Sequence, residues 1–285
     1  MNDISKELIR LALLEDLREI GDLTSEHFVD EAHRSIGKIV SRDSAVVSGV
    51  AVAIEVCRQV DPDLVITEIV GDGAPVEKGE AVLEISGPTR SILTAERTAL
   101  NFMQRLSGVA TVTRTFMDLI KDTEAKLLDT RKTTPGFREL EKAAVLHGGG
   151  TNHRIGLYDA VMVKDNHLAA NLKPVDLAER IGELKAEMPD LKIEVEADRL
   201  DQLAAFLRIA GIDVVLLDNM SNAQLIEAVV MRDEVGSRIL LEASGGVNLE
   251  TIAAIAETGV DFISVGALTH SVRSIDLGLD LIEQG

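Results

Sequence analysis

Across the second half of the chain, short apolar runs recur, and each one ends in polar residues. Lys126–Leu128 runs into Asp129-Thr130-Arg131-Lys132, Ala160–Val163 runs into Lys164-Asp165, and Ile193–Val195 is interleaved with Glu194 and Glu196. Val214–Leu217 precedes Asp218-Asn219, Ile239–Leu241 precedes the stretch from Glu242 to Gly246, and Phe262–Val265 precedes Gly266. The last four run ends, Glu196, Asp218, Glu242 and Val265, are 22, 24 and 23 residues apart. That interval holds one strand, a helix of about a dozen residues and two short loops. Strands so uniformly apolar are covered on both faces, the mark of a parallel sheet. Six are clear and a seventh is doubtful, fewer than the eight of a complete (β/α) barrel. An open doubly wound sheet is the alternative, but the usual Gly-rich dinucleotide loop is missing. In a barrel the chemistry sits where strands end, so the column of polar run ends reads as one site.

The first half reads differently. Apolar spacing predicts a helix over Ser5–Leu17, a strand-like alternation over Ile36–Val47, and helical period again over Ala51–Val60. Val65–Ile85 is strand, turn, strand around Gly71-Asp72-Gly73 and Lys78-Gly79-Glu80. This stretch resembles the hammerhead of lipoyl and biotinyl carriers, but Lys78 sits beside a turn glycine, and the stretch is read as scaffold. A long helical region, Thr94–Ile120, is expected to be interrupted near Ser107-Gly108.

Composition excludes several functions. The chain has 285 residues, with 48 Asp+Glu against 29 Lys+Arg, a net charge of −19, and only 2% aromatic residues. Phosphate backbones repel such a chain and bases find no stacking platform, so nucleic acid is not an expected partner. Hydrophobic content of 46% is too high for an acidic disordered chain. The single cysteine, Cys57, makes no internal disulfide, and no basic, apolar export signal opens the chain. Its apolar runs are too short to span a bilayer. The expectation is a soluble cytoplasmic protein without a membrane partner.

Basic residues concentrate in one place. From Asp129 to His167 lie Arg131, Lys132, Arg138, His147, His153, Arg154, Lys164 and His167, and the net charge there is +1 against −20 for the rest. Guanidinium and ammonium groups at strand ends suit a small, multiply anionic ligand. The run His147-Gly148-Gly149-Gly150 is either a phosphate cradle or a mobile turn. The histidine spacings match no compact zinc pattern. His27, His33 and His270 read as orienting or core residues. Glu194, Glu196, Asp218 and Glu242 supply carboxylates at successive strand ends, and alternation puts Glu194 and Glu196 on one face. Carboxylates beside bound phosphates suit Mg²⁺. The loops Ala243-Ser244-Gly245-Gly246 and Ser264-Val265-Gly266-Ala267 are placed as phosphate-binding loops of barrels are.

At these residues the sequence resembles the quinolinate phosphoribosyltransferase family. The matching blocks are GDLTSE at Gly21–Glu26, TAERTALNFMQRLSG at Thr94–Gly108, and LLDTRKTTPGFRELEKAAVLHGGGTNHR at Leu127–Arg154. GLYDAVMVKDNH at Gly156–His167, IEVE at Ile193–Glu196, LLDNM at Leu216–Met220, EASGGV at Glu242–Val247 and ISVGALTHS at Ile263–Ser271 continue the family order. The resemblance implies an α/β chain with an N-terminal α/β sandwich over 1–108 and an incomplete barrel over 109–271. The segment of about 272–285 is a candidate to pack back on the sandwich. The implied reaction joins quinolinate and phosphoribosyl pyrophosphate with Mg²⁺ to give nicotinate mononucleotide, pyrophosphate and CO₂, a step of de novo NAD biosynthesis, with no organic cofactor.

The same resemblance implies the site. Arg131, His153, Arg154 and Lys164 hold quinolinate's carboxylates, with Arg97 donated by the partner of a homodimer or larger homo-oligomer. Thr130 belongs to the substrate-binding set, and Lys132, read as catalytic, faces the pyrophosphate or the bound carboxylates. Glu196 and Asp218, also read as catalytic, hold ribose hydroxyls and the metal, directly or indirectly. Ser244, Gly245, Ser264 and Gly266 cradle the 5′-phosphate. One departure from the family pattern is the longer opening motif Glu15–Asp22, which lacks its first glycine. The rival readings are a molybdenum-transport-associated paralogue, a nicotinate phosphoribosyltransferase, and a non-catalytic sensor of a phosphorylated metabolite. The full Asn152-His153-Arg154 and Lys164–His167 motifs, the many cations, and Glu196 with Asp218 favour the quinolinate enzyme.

Overall fold

The computed structural model describes residues 1–164, 167 and 174–283. In chain order the first elements are α1 (Asp3–Leu17), α2 (Leu23–Phe28), β1 (Arg34–Ser41), β2 (Ala45–Val46) and α3 (Val50–Val60). Next come β3 (Val65–Glu68), β4 (Pro75–Val76), β5 (Ala81–Pro88), α4 (Thr89–Ile120), β6 (Lys126–Leu128), α5 (Arg138–His147) and β7 (Val161–Val163). The chain continues through α6 (Pro174–Glu187), β8 (Ile193–Ala197), α7 (Leu200–Phe206), β9 (Val214–Asp218) and α8 (Asn222–Glu234). It ends with β10 (Leu240–Ser244), α9 (Ile252–Ala256), β11 (Phe262–Ser264), α10 (Ala267–His270) and β12 (Leu277–Glu283). Two compact units result: Met1–Arg114 with Thr133–Gly149 and the chain from Leu268 on, and Thr115–Lys132 with Gly150–Ala267. None of the helices among the described residues is long and apolar enough to cross a membrane.

The first unit carries an antiparallel sheet in the order β12-β1-β5-β3. The C-terminal strand joins it, with Ile39 of β1 opposite both Leu279 of β12 and Leu83 of β5. The Gly71-Asp72-Gly73 turn is scaffold: Asp72 Oδ1 accepts the Val50 N–H at 2.9 Å and so satisfies the start of α3.

Helix α4 corrects the expected interruption at Ser107-Gly108. It is one helix of 32 residues. Its buried stripe runs through Ile92, Ala95, Ala99, Met103, Leu106 and Ala110 without losing helical spacing. Gly108 is there because the chain passes close by. A Cβ at that position would meet the Arg273 carbonyl oxygen and lie 2.9 Å from Val272 Cγ1. Glycine in a helix marks a close approach as often as a break, and period alone does not tell the two apart.

The second unit holds a six-stranded parallel sheet in the order β6-β11-β10-β9-β8-β7. The last strand, β11, returns to pair with the first, β6. This is barrel order, left open between β6 and β7 among the described residues. Thr151 makes a single bridge to the free edge of β6 at Leu128. Two aspartates tie down the strand starts. Asp213 Oδ2 accepts the Ile193 N–H at 2.8 Å, and Asp261 Oδ2 accepts the Leu241 N–H at 2.8 Å. With its starts fixed, the sheet presents its strand ends in a constant register.

Candidate active site

Alternation builds the site. Along each strand every second side chain points to the same face. The cavity at the strand ends, about 200 Å³, is lined by Met162 and Lys164 at β7, Glu196 on β8, and Leu216 and Asp218 on β9. Glu242 and Ser244 on β10 and Ser264 on β11 complete the wall, with Thr130, Arg131 and Lys132 after β6 and His153 and Arg154 after Thr151. The parallel register aligns Ser244 with Asp218, and Glu242 and Glu196 each with Leu216. Ten of the thirteen substrate-binding residues proposed from the sequence therefore line one cavity. Met162 and Leu216 were not anticipated, although each stands two residues before a candidate, Lys164 and Asp218, and so shares its face.

The cations are crowded. Lys164 Nζ lies 3.5 Å from Glu196 Oε2. Arg154 Nη1 donates to the Ala160 carbonyl at 3.1 Å. Burial pulls the Arg154 pKa down, and the charge of Arg131 adds to the effect. Two guanidinium groups that disfavour each other's charge gain most from an anion with a carboxylate for each. Thr130 shapes the turn, its Oγ1 accepting the Lys132 N–H at 3.0 Å.

His153 is held from several sides. Its N–H donates to the buried Asp129 at 2.8 Å, and its Nδ1 accepts the Arg154 N–H at 2.7 Å. Its Nε2 lies 3.1 Å from Glu194 Oε2 and 3.4 Å from Glu242 Oε2. Burial pulls the ring toward neutrality and the hydrogen bonds and charges of the two glutamates pull its pKa up, while the Arg154 N–H aimed at Nδ1 leaves Nε2 as the nitrogen that carries the proton. Burial pushes the Glu194 carboxyl up; the His153 hydrogen bond opposes that and the Glu242 charge reinforces it.

Asp218 has a partner that sequence reasoning did not single out. Asn219 Nδ2 donates to Asp218 Oδ2 at 2.7 Å, and the Asn219 N–H donates to the Ser244 carbonyl at 2.8 Å. Asn219 has φ +54°, a region asparagine tolerates. Gly245, with φ +98°, lies against its amide. An Asp-Asn pair at a strand end is the signal that could have found this link.

Other candidates lie elsewhere. Arg97 is not on the wall of the strand-end cavity; it lines a second cavity of about 560 Å³ within the first unit, beside Leu11, Ala12, Phe102 and Phe137. Gly245 and Gly266 stand beyond the lining residues, at the ends of β10 and β11. Arg138 and His147 find partners in the first unit, with Arg138 Nε on Thr133 Oγ1 at 3.1 Å and His147 Nδ1 2.8 Å from Ser48 Oγ. The glycine run after His147 starts as a packing device: a Cβ at Gly148 would lie 2.5 Å from the Thr113 Cβ. His167 Nδ1 accepts the Lys164 N–H at 3.0 Å, while Asp165 and Asn166 of the same motif lie outside the described residues. Burial pushes the Cys57 thiol up to about 12, so it supplies no thiolate at neutral pH.

Comparison with known proteins places the chain in a family. The description "Quinolinate phosphoribosyl transferase, C-terminal domain" matches residues 109–280, and its N-terminal counterpart matches residues 22–107. The chain belongs to the quinolinate phosphoribosyltransferase family. It is 45% identical over 282 residues to a nicotinate-nucleotide pyrophosphorylase [carboxylating] of Mycobacterium leprae, covering 98% of each protein. A probable enzyme of the same name from Bacillus subtilis is 38% identical, over 97% of this chain and 93% of that one. The solved nicotinate-nucleotide pyrophosphorylase of Francisella tularensis superposes with a TM-score of 0.90 at 41% identity, covering 99% of this chain and 97% of that one. Within this quinolinate phosphoribosyltransferase, the departing motif Glu15–Asp22 still ends in a functional helix cap. Asp22 Oδ1 accepts the Ser25 N–H at 3.0 Å at the start of α2.

Proposed function

We propose that this family member transfers the phosphoribosyl group of phosphoribosyl pyrophosphate to quinolinate and releases CO₂ and pyrophosphate, forming nicotinate mononucleotide for de novo NAD synthesis. The observation that carries the reading is the convergence of Arg131, Arg154 and Lys164 on one cavity that also holds Glu196 and Asp218. A pyridine with two adjacent carboxylates matches that set of cations. The guanidinium forks clamp the ring so that its nitrogen lies in line with the ribose carbon, and such positioning supplies much of the rate.

Bond making and breaking follow from this placement. The ring nitrogen forms a bond to the ribose carbon as the carbon–pyrophosphate bond breaks, and Lys132 stabilises the negative charge that builds on the leaving group. The ribosylated ring is cationic. It stabilises the electron pair left on the carbon beside nitrogen when CO₂ departs, and that carbon then takes up a proton. Glu196 and Asp218 hold the ribose hydroxyls, with Asn219 aligning Asp218, while Ser244, Gly245, Ser264 and Gly266 receive the 5′-phosphate. Glu196 and Asp218 also offer hard carboxylate oxygens in one cavity, the donor type Mg²⁺ accepts, and would hold that ion. When bound, Mg²⁺ would neutralise charge on the pyrophosphate.

Arg97 enters from a second copy of the chain. Its place in an apolar groove of the first unit, beside the half-exposed Leu11, supports that reading. The test is consumption of quinolinate with equal release of CO₂ and pyrophosphate, with nicotinate as the control acceptor. Equal turnover of nicotinate, or pyrophosphate release without CO₂, would overturn the proposal.

A further inference from the structure

We infer that Glu194 and Glu242 act together as positioning residues: they hold the His153 ring by its Nε2 and thereby fix the Arg154 backbone, and with it the carboxylate clamp. The inference rests on the proposed quinolinate site. Its first support is the restraint on every side of His153. The Arg154 N–H sits 2.7 Å from Nδ1, which makes that nitrogen an acceptor and puts the ring proton on Nε2. The Nε2–H then points at two carboxylate oxygens, 3.1 Å away on Glu194 and 3.4 Å away on Glu242. With both nitrogens engaged inside the protein, the ring contributes by holding its neighbour in place.

The second support is the burial of the glutamates. Glu194 is 6% exposed and Glu242 1% exposed. One oxygen of each, Oε1, is buried without a hydrogen-bond partner among the described residues. Barrel interiors are ordinarily filled by branched apolar side chains. Two carboxylates with unsatisfied oxygens are a costly replacement if packing were the only need. They come from β8 and β10, with β9 between them, so the ring is anchored to two separate strands of the sheet.

A histidine and two carboxylates whose ligand atoms lie within 4.8 Å of one another also have the composition of a cation site. The amide of Arg154 argues against that use. A neutral imidazole binds metal through Nε2 only when its proton sits on Nδ1, and Nδ1 already accepts an N–H.

The test uses the purified full-length protein with Glu194→Gln, Glu194→Leu, Glu242→Gln and Glu242→Leu. Glutamine keeps an oxygen that can accept the Nε2–H; leucine does not. The leucine variants should raise KM for quinolinate by about tenfold or more, with KM for phosphoribosyl pyrophosphate within about twofold. The glutamine variants should recover most of that loss. Equal increases in both KM values, or no change with leucine, would overturn the inference. A second measurement stands apart from activity and from the folding of the leucine variants. In ¹⁵N-histidine NMR of the wild type, the signal removed by His153→Asn should report an Nε2–H tautomer with an unprotonated Nδ1. An Nδ1–H tautomer, or stoichiometric Zn²⁺ binding abolished by His153→Asn, would overturn it. If the wild type does not consume quinolinate, the proposed function fails, and the tautomer alone decides this inference.

Discussion

Replacing Gly245 with alanine tests how the candidate site is tied together. A Cβ on Gly245 would meet the Asn219 amide oxygen, lie 2.6 Å from the Asn219 Cγ and lie 3.0 Å from the Asn219 nitrogen. Ordinary contact begins near 3.4 Å, so the amide must retreat by about 0.8 Å. The Asn219 Nδ2 to Asp218 Oδ2 hydrogen bond is 2.7 Å, and a displacement of that size breaks it. Losing a hydrogen bond to a charged group costs about 1.5–3 kcal/mol, so kcat/KM for phosphoribosyl pyrophosphate should fall by roughly 10- to 100-fold. The positive φ adds about 1–2 kcal/mol of backbone strain, lowering Tm by several degrees. Gly236→Ala separates the two effects, because Gly236 also has positive φ but a Cβ there meets nothing within 4 Å. It should lose stability and keep its activity. The assay is initial-rate pyrophosphate release at saturating quinolinate, with thermal melts on both variants. Wild-type kcat/KM in folded Gly245→Ala, or an equal loss in Gly236→Ala, would refute the reasoning.

Gly108→Ala and Gly182→Ala, both in helices, should have opposite signs. The first forces a methyl against the Arg273 backbone and should destabilise by about 1–3 kcal/mol; the second meets nothing and should stabilise by about 0.5–1 kcal/mol in urea titrations. Arg131→Ala should lower kcat/KM for quinolinate by at least about a hundredfold while the melt is unchanged, since a bidentate clamp loses two charged hydrogen bonds. Arg97→Ala and Lys164→Ala subunits, each inactive alone, should regain activity when verified mixed oligomers form; failure there counts against a shared site. Asp213 supplies a pH test. Burial pushes its carboxyl up, but hydrogen bonds from Lys185, the Ile193 amide and Lys192 outweigh that and hold its pKa low. Its stabilisation is therefore present above the unfolded carboxylate pKa and is lost as pH falls through the lower folded value. The Tm gap between wild type and Asp213→Asn should be constant above about pH 5 and shrink toward pH 3, and a gap that persists there would contradict the assignment.

Much of the second unit was legible because its strands are buried on both faces and read as uninterrupted apolar runs. All six were found within a few residues. The error at β10 is the instructive one, since the strand runs from Leu240 to Ser244, two residues past the expected end at Glu242 and into the expected loop. A buried glutamate looks like a strand end to any pattern that expects apolar filling. The supposed break at Gly108 failed for a related reason: the neighbours that require glycine, the Arg273 carbonyl and the Val272 side chain, are far away in sequence. The basic cluster from Asp129 to His167 was visible as a charge anomaly, but nothing local told Arg138 and His147 apart from Arg131 and Arg154.

Sequence by itself determined the parallel sheet, the strand-end column of charged residues and the family to which the chain belongs. Those rest on short-range periodicity and on contiguous motifs, which a linear reading preserves. Tertiary structure decided which charges share a cavity, that Arg97 lines another, and that His153 turns its ring toward Glu194 and Glu242. These outcomes depend on strand register and on approaches between residues dozens of positions apart. A charge acquires its role from the partners that burial forces upon it, and only the folded chain brings them within reach.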